Sequence, residues 1–134
     1  ILLYVDDLVI TGADLGEIDR VKLQLAPSFD MKDLGDLHYF LGIEVIHIPN
    51  SILLTQRHYV LNMLYNFSMT DCQSMSTPLD KNVKLRPNSG AVCDEKRFRQ
   101  IVGNLIYLTI TRPDLNYPVG VISQFMQRPK VEHL

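Results

Sequence analysis

Asp6 and Asp7 stand side by side inside an otherwise apolar run, with Ile1-Leu2-Leu3-Tyr4-Val5 before them and Leu8-Val9-Ile10 after. Two short apolar, β-branched stretches around two turn-prone residues predict a hairpin, with strands at 1–5 and 8–11 and both carboxylates at or beside its tip. In an extended strand neighbouring side chains point to opposite faces, whereas a tight turn can present both on one side. Two carboxylates so close repel, and one tends to protonate unless a cation is present. Mg²⁺ removes that conflict, because it takes oxygen ligands, is commonly held by one or two carboxylates, and leaves its other positions to water and substrate phosphates. Spacing alone leaves a second reading open, a plain Asp-Asp turn without a ligand.

The remaining pattern describes a scaffold for that hairpin. Asp14, followed by Glu17, has the form of a capping box and predicts a helix to about residue 26, stopped by Pro27. Residues 29–32 read as a short strand, and 37–48 as strand-rich, with Gly42 marking a bulge or a close backbone approach. A turn at 49–51 leads to a return strand at 52–55, and apolar residues at helical spacing predict a helix over 56–67. Residues 68–94 are rich in Ser, Thr, Asp, Asn, Pro and Gly and predict a long loop. A helix over 94–110 follows, ended by Arg112-Pro113. Asp114 then caps a last helix over 114–127, with Pro118 tolerated in its first turn. The class is α+β.

Composition narrows the chemistry. The 134 residues fit one ordinary domain, and 46% hydrophobic content excludes a disordered chain. No apolar run approaches the roughly 20 residues that span a bilayer, so no membrane partner is expected. Cys72 and Cys93 are far apart and the four histidines are scattered, which is not the spacing of a zinc site. Residues 1–80 carry four Lys/Arg against eleven Asp/Glu, whereas 81–112 carry seven against two. An acidic front and a basic middle suit cation binding first and polyanion contact later. No signal peptide is evident. A start at Ile1, inside an apolar run, reads as a piece of a longer polypeptide.

Tyr4-Val5-Asp6-Asp7 resembles the YxDD motif of reverse transcriptases, and its apolar flanks resemble those of copia-type LTR retrotransposons. FDMKDLGDLHYFLGIEV at 29–45, LTQRHYVLNML at 54–64, STPLD and VKL within 76–85, and VGNLIYLTITRPDLNYPVGVISQFMQRP at 102–129 are similar to that family in the same order. The resemblance covers essentially the whole chain. It implies a right-hand polymerase, with 1–48 as the second half of the palm and 49–134 as a mostly helical, thumb-like region holding the 68–94 loop. Phe98 stands where the family pattern has Tyr, and Pro118 where it has a small residue.

The resemblance also assigns roles. Asp6 is the catalytic, metal-binding carboxylate and Asp7 its less critical neighbour. Two Mg²⁺ ions, for which Mn²⁺ can substitute, then lie between the primer 3′-hydroxyl and the phosphates of the incoming deoxynucleoside triphosphate. Tyr4 and Val5 line the nucleotide and template–primer side, and Lys32 is a candidate general acid for pyrophosphate. Leu41, Gly42 and Ile43 resemble a primer grip, where a missing side chain lets a sugar-phosphate backbone approach. Arg99, Gly103 and Tyr107 recur at i, i+4 and i+8 on a helix similar to one that lies along the duplex minor groove. The bland alternative makes Gly103 a helix-packing contact and Tyr107 a core residue. Ile101, Leu105 and Leu108 are expected to face inward. Lys96 and Arg97 supply salt-dependent attraction to phosphates.

The partners implied are an RNA template, a DNA primer, their RNA–DNA hybrid and deoxynucleoside triphosphates. Fingers and a further palm aspartate are expected before residue 1, and an RNase H segment after residue 134. The expected location is intracellular, in cytoplasmic virus-like particles. Without the further aspartate the isolated chain is expected to be inactive. Two other readings fit the same residues. One is a non-catalytic nucleic-acid-binding remnant of a transposable element, and the other a different palm-type metal-dependent phosphotransferase.

Overall fold

A computed structural model describes residues 1–80, 85–87 and 90–134. The chain divides into two compact units, Ile1–Phe40 and Leu41–Leu134.

In the first unit, β1 (Leu2–Tyr4) pairs antiparallel with β2 (Asp7–Val9), with Leu2 opposite Val9, Leu3 opposite Leu8 and Tyr4 opposite Asp7. The loop is therefore only Val5-Asp6. Both strands are shorter than the sequence predicts, with Asp6 in the loop and Asp7 beside it, opening β2. α1 (Leu15–Leu25) starts where expected, because the Asp14 side chain accepts from the Gly16 amide at 2.8 Å. Residues 29–32 form no strand. Asp33 accepts from the Gly35 amide at 2.9 Å and pairs with Lys22 of α1 at 2.8 Å, so local polar bonds hold this segment in an irregular course. β3 (Tyr39–Phe40) ends the unit, in which no side chain is fully buried.

The second unit begins with β4 (Ile43–Ile48) and β5 (Ser51–Thr55), antiparallel about a turn at Pro49-Asn50, with Glu44 opposite Thr55 and Ile48 opposite Ser51. Gly42 sits in the turn before β4 at φ +81° and makes no bulge within a strand. α2 (Arg57–Asn66) and α3 (Glu95–Leu108) fall close to their predicted spans. Asp94 caps α3 by accepting from the Lys96 and Arg97 amides at 2.9 and 3.1 Å. Among the described residues of 68–94 the chain is irregular apart from one bridge, Val92 to Lys130. Residues 81–84 and 88–89 of that loop, and with them part of the VKL motif, lie outside the described residues.

The core gathers where α3 packs on α4 (Asn116–Ser123). Phe98 and Val102, 1% and 0% exposed, form its centre with Leu108, Val119 and Pro129. Ile101 and Leu105, expected to face inward, are only half-buried. α4 is shorter than the predicted 114–127. Asp114 does not cap it, because both its oxygens take hydrogen bonds from Arg112 at 3.0 and 2.7 Å, and residues Pro113–Leu115 form a single 3₁₀ turn. Beyond Ser123 the amides of Phe125 and Met126 bond three residues back, to Ile122 and Ser123, which tightens the chain out of the α-helix. The antiparallel strand pairs and four helices agree with an α+β class.

Candidate functional site

Two groups of sequence-predicted residues are described separately, one in each unit. In the first, Leu3↔Leu8 and Tyr4↔Asp7 pairing closes the chain into the tightest hairpin loop. Val5 is carried into the left-handed region at φ +49°. Glycine and asparagine favour that region, and a β-branched side chain is crowded there. Val5 is 77% exposed, so no burial compensates for the conformation. The consequence is that Asp6 occupies the loop and Asp7 the first strand position, adjacent and exposed. Among the described residues neither carboxylate forms a hydrogen bond or ion pair. Tyr4 lies beside them on β1, half exposed. Lys32 lies in the exposed irregular stretch after α1, likewise without a partner among the described residues.

The donor set suits a hard divalent cation, since two unengaged carboxylates offer only oxygen. Among the described residues no group of three or more His, Cys, Asp or Glu converges. A divalent cation held by this pair alone would take its other ligands from outside the described residues.

In the second unit the structure brings together two motifs 66 residues apart. Leu41 and Gly42 are consecutive left-handed residues, at φ +50° and +81°, just before Ile43 opens β4. The Tyr107 hydroxyl, reaching from α3, donates to the Leu41 carbonyl. A Cβ on Gly42 would lie 2.8 Å from that hydroxyl oxygen and 3.5 Å from the ring. The space that Gly42 leaves is thus filled by Tyr107, where the sequence suggested room for a sugar-phosphate backbone. The Tyr107 ring meets Tyr59 edge-on, centroids 4.9 Å apart, and the Tyr59 hydroxyl donates to the Asn104 carbonyl at 3.3 Å. Burial, with a smaller push from Tyr107, raises the Tyr59 phenol above its usual pKa.

Gln56, 2% exposed, completes this junction. Its amide nitrogen donates to the Tyr107 carbonyl at 3.3 Å, and its amide oxygen accepts from the Thr111 hydroxyl at 2.7 Å. The Glu44 carboxylate of β4 accepts from the His58 amide of α2 at 2.8 Å. Sequence reading missed Gln56 and Thr111. The available signal was a lone amide between the apolar strand ILLT and the helix that follows it.

On α3 the predicted stripe separates. Arg99 is exposed, and its guanidinium donates to the Met126 carbonyl at 3.0 Å and to Glu95 at 3.1 Å. Gly103 is exposed, and nothing lies within 4 Å of a Cβ built there, so it is not a helix-packing contact within this unit. Tyr107 turns toward Leu41. Ile106 and Ile110, not predicted, continue the outward line of Arg99 and Gly103. Lys96 and Arg97 are exposed at the start of the helix.

Residues 1–81 match the family model of reverse transcriptase (RNA-dependent DNA polymerase). The chain belongs to the reverse transcriptase family. Its relatives mark it as a fragment of the copia-type branch of that family. It is 42% identical over 134 residues to a retrovirus-related Pol polyprotein from transposon RE1 of Arabidopsis thaliana, covering 99% of this chain and 9% of that protein. It is 37% identical over 143 residues to the Pol polyprotein from transposon TNT 1-94 of Nicotiana tabacum, covering 99% of this chain and 11% of that one. An uncharacterised mitochondrial protein of Arabidopsis thaliana is 43% identical over 129 residues, covering 96% of this chain and 54% of that protein. The chain thus spans about half of one such relative and about a tenth of the transposon polyproteins. No solved structure matches it significantly. The YVDD hairpin and the Leu41–Gly42 turn both fall within the matched reverse transcriptase region, and α3 lies beyond it.

Proposed function

We propose that this chain is a working part of an RNA-directed DNA polymerase, acting within a longer Pol polypeptide to add deoxynucleotides to a primer 3′-hydroxyl. The observation that carries the reading is the Val5–Asp6 loop. A strained, exposed tip in the family-matched region presents two adjacent carboxylates that have no partner among the described residues. Backbone strain of this kind costs about 1–3 kcal/mol, persists only where the surrounding structure enforces it, and clusters at functional sites.

Asp6 is the main ligand for Mg²⁺ or Mn²⁺ and Asp7 the secondary one. When bound, the ions supply positive charge beside the primer hydroxyl and the triphosphate, easing attack and departure of pyrophosphate. Tyr4 and Val5 border the nucleotide, and Lys32 stands as the proton donor to pyrophosphate. Residues 1–48 represent the palm, and the mostly helical residues 49–134 the thumb. The turn at Leu41, Gly42 and Ile43 holds the primer end. Lys96 and Arg97 attract phosphates, and the Arg99–Gly103 face of α3 meets the duplex. The 134 residues alone, which supply only the Asp6–Asp7 pair to this site, are inactive.

A binding titration tests this. The chain should prefer an RNA–DNA hybrid with a recessed DNA 3′-end over free deoxynucleoside triphosphate, with affinity that falls steeply as salt rises. Equal binding of free nucleotide, without preference for hybrid, contradicts the polymerase reading and favours another palm-type phosphotransferase. Robust primer extension by residues 1–134 contradicts the claim that the chain is incomplete. Hybrid binding indifferent to Mg²⁺ and to Asp6→Asn is the signature of a non-catalytic remnant.

A further inference from the structure

We infer that Tyr107 is a positioning residue for the primer end, acting through the Leu41–Gly42 turn, and does not itself touch the duplex. The inference rests on the polymerase reading above and adds to it the device that sets the turn.

Three observations converge. The Tyr107 hydroxyl donates to the Leu41 carbonyl, and the Gly42 position has no room for a side chain because that hydroxyl occupies it. Two consecutive left-handed residues, at φ +50° and +81°, give the turn one shape, and the bond from Tyr107 fixes where its carbonyl points. Tyr107 in turn is held on two other sides. Tyr59 closes on its ring edge-on, while Gln56 bonds its backbone carbonyl and the Thr111 hydroxyl from a site sealed from solvent. A half-buried tyrosine with its hydroxyl committed to one carbonyl is not disposed to lie along a groove. The outward positions of α3 are instead Arg99, Gly103 and Ile106, a line that Ile110 continues beyond the helix end and that bypasses Tyr107. The arrangement links α3 and the turn, so that a helix lying on the duplex and a turn holding its 3′-end keep a fixed separation.

Tyr107→Phe tests this, read by two measurements on the 134-residue chain. The first is amide exchange. Loss of the hydroxyl should speed exchange several-fold at Gly42, Ile43 and Glu44 while leaving the amides of Val102 to Leu105 unchanged. The second is photocrosslinking to an RNA–DNA hybrid carrying 4-thiothymidine either at the primer 3′-terminus or well inside the duplex. The variant should lose most of the terminal crosslink, keep the internal one, and bind hybrid within about twofold of the parent. Gly42→Ala, which drives a methyl against the same hydroxyl, should reproduce the selective loss, and the two changes together should cost less than their product. If Tyr107→Phe loses both crosslinks and its affinity together, the tyrosine contacts the duplex and the inference fails. Unchanged exchange at Gly42–Glu44 also overturns it, because the turn is then not held from α3. If exchange speeds up but the parent chain binds no hybrid, the polymerase reading falls and takes the primer role with it, leaving only a structural tie.

Discussion

Val5 is the residue where local physics and the proposed role pull apart. A valine at φ +49° with an exposed side chain is costly in a two-residue loop, and glycine would take the same conformation freely. Val5→Gly should therefore stabilise the chain by roughly 1 kcal/mol, after allowing for the extra freedom glycine has when unfolded. The measurement is the urea midpoint, and a fall in that midpoint contradicts the assignment of strain. Other exposed residues make pH-dependent contributions. Arg112 holds the Asp114 carboxyl below its ordinary 3.8, and the hydrogen bond from Lys22 does the same to Asp33. A lowered carboxyl contributes stability that is fully present above its ordinary value and is lost as pH falls through the lowered one. Lys22, raised above 10.5 by Asp33, contributes below that value and loses its contribution as pH rises through the raised one. Urea midpoints should fall as pH drops below the ordinary carboxyl value, and Asp114→Asn should make the fall smaller.

At the scale of the element, α3 organises the second unit. Its start rests on Asp94, which satisfies two amides that nothing else bonds. Asp94→Ala should cost about 1 kcal/mol, read from the thermal midpoint, and the Asp94→Asn or Asp94→Ser variant should recover most of it. A cap of this kind was legible in the sequence, because Asp before a periodic run is a local signal. So were the hairpin around the paired aspartates and the spans of α1, α2 and α3. What escaped was set by side-chain pairings, some two residues away and some across the chain, that periodicity does not report. Asp114 reads as a cap until Arg112 takes both its oxygens. Residues 29–32 read as a strand until Lys22 and Gly35 claim Asp33. Gly42 reads as space for a ligand until Tyr107, on the far side of a long loop, fills it. The residue types of Gln56 and Thr111 were visible, but their meeting depends on tertiary packing that no periodicity encodes.

The whole molecule is uneven in how well it is held. In Ile1–Phe40 no side chain is fully buried, whereas Leu41–Leu134 encloses Phe98, Val102, Leu108 and Val119. Regions with little burial open at lower free energy. Amide exchange in β1 and β2 should accordingly be at least tenfold faster than in α3, and equal protection in the two would contradict the division of stability. The proposed catalytic pair thus sits on the weakly held unit, and the turn proposed to hold the primer on the well-packed one. Family membership, the strained hairpin and the basic start of α3 are consistent with one enzyme, in which we propose that Asp6 and Asp7 hold a divalent cation. Mn²⁺ titration followed by paramagnetic broadening of backbone amides tests it most directly. Broadening should begin at Tyr4 to Leu8, vanish in Asp6→Asn and weaken in Asp7→Asn. Broadening that starts elsewhere, for example around Asp19 and Asp36, or that survives Asp6→Asn unchanged, would contradict the account.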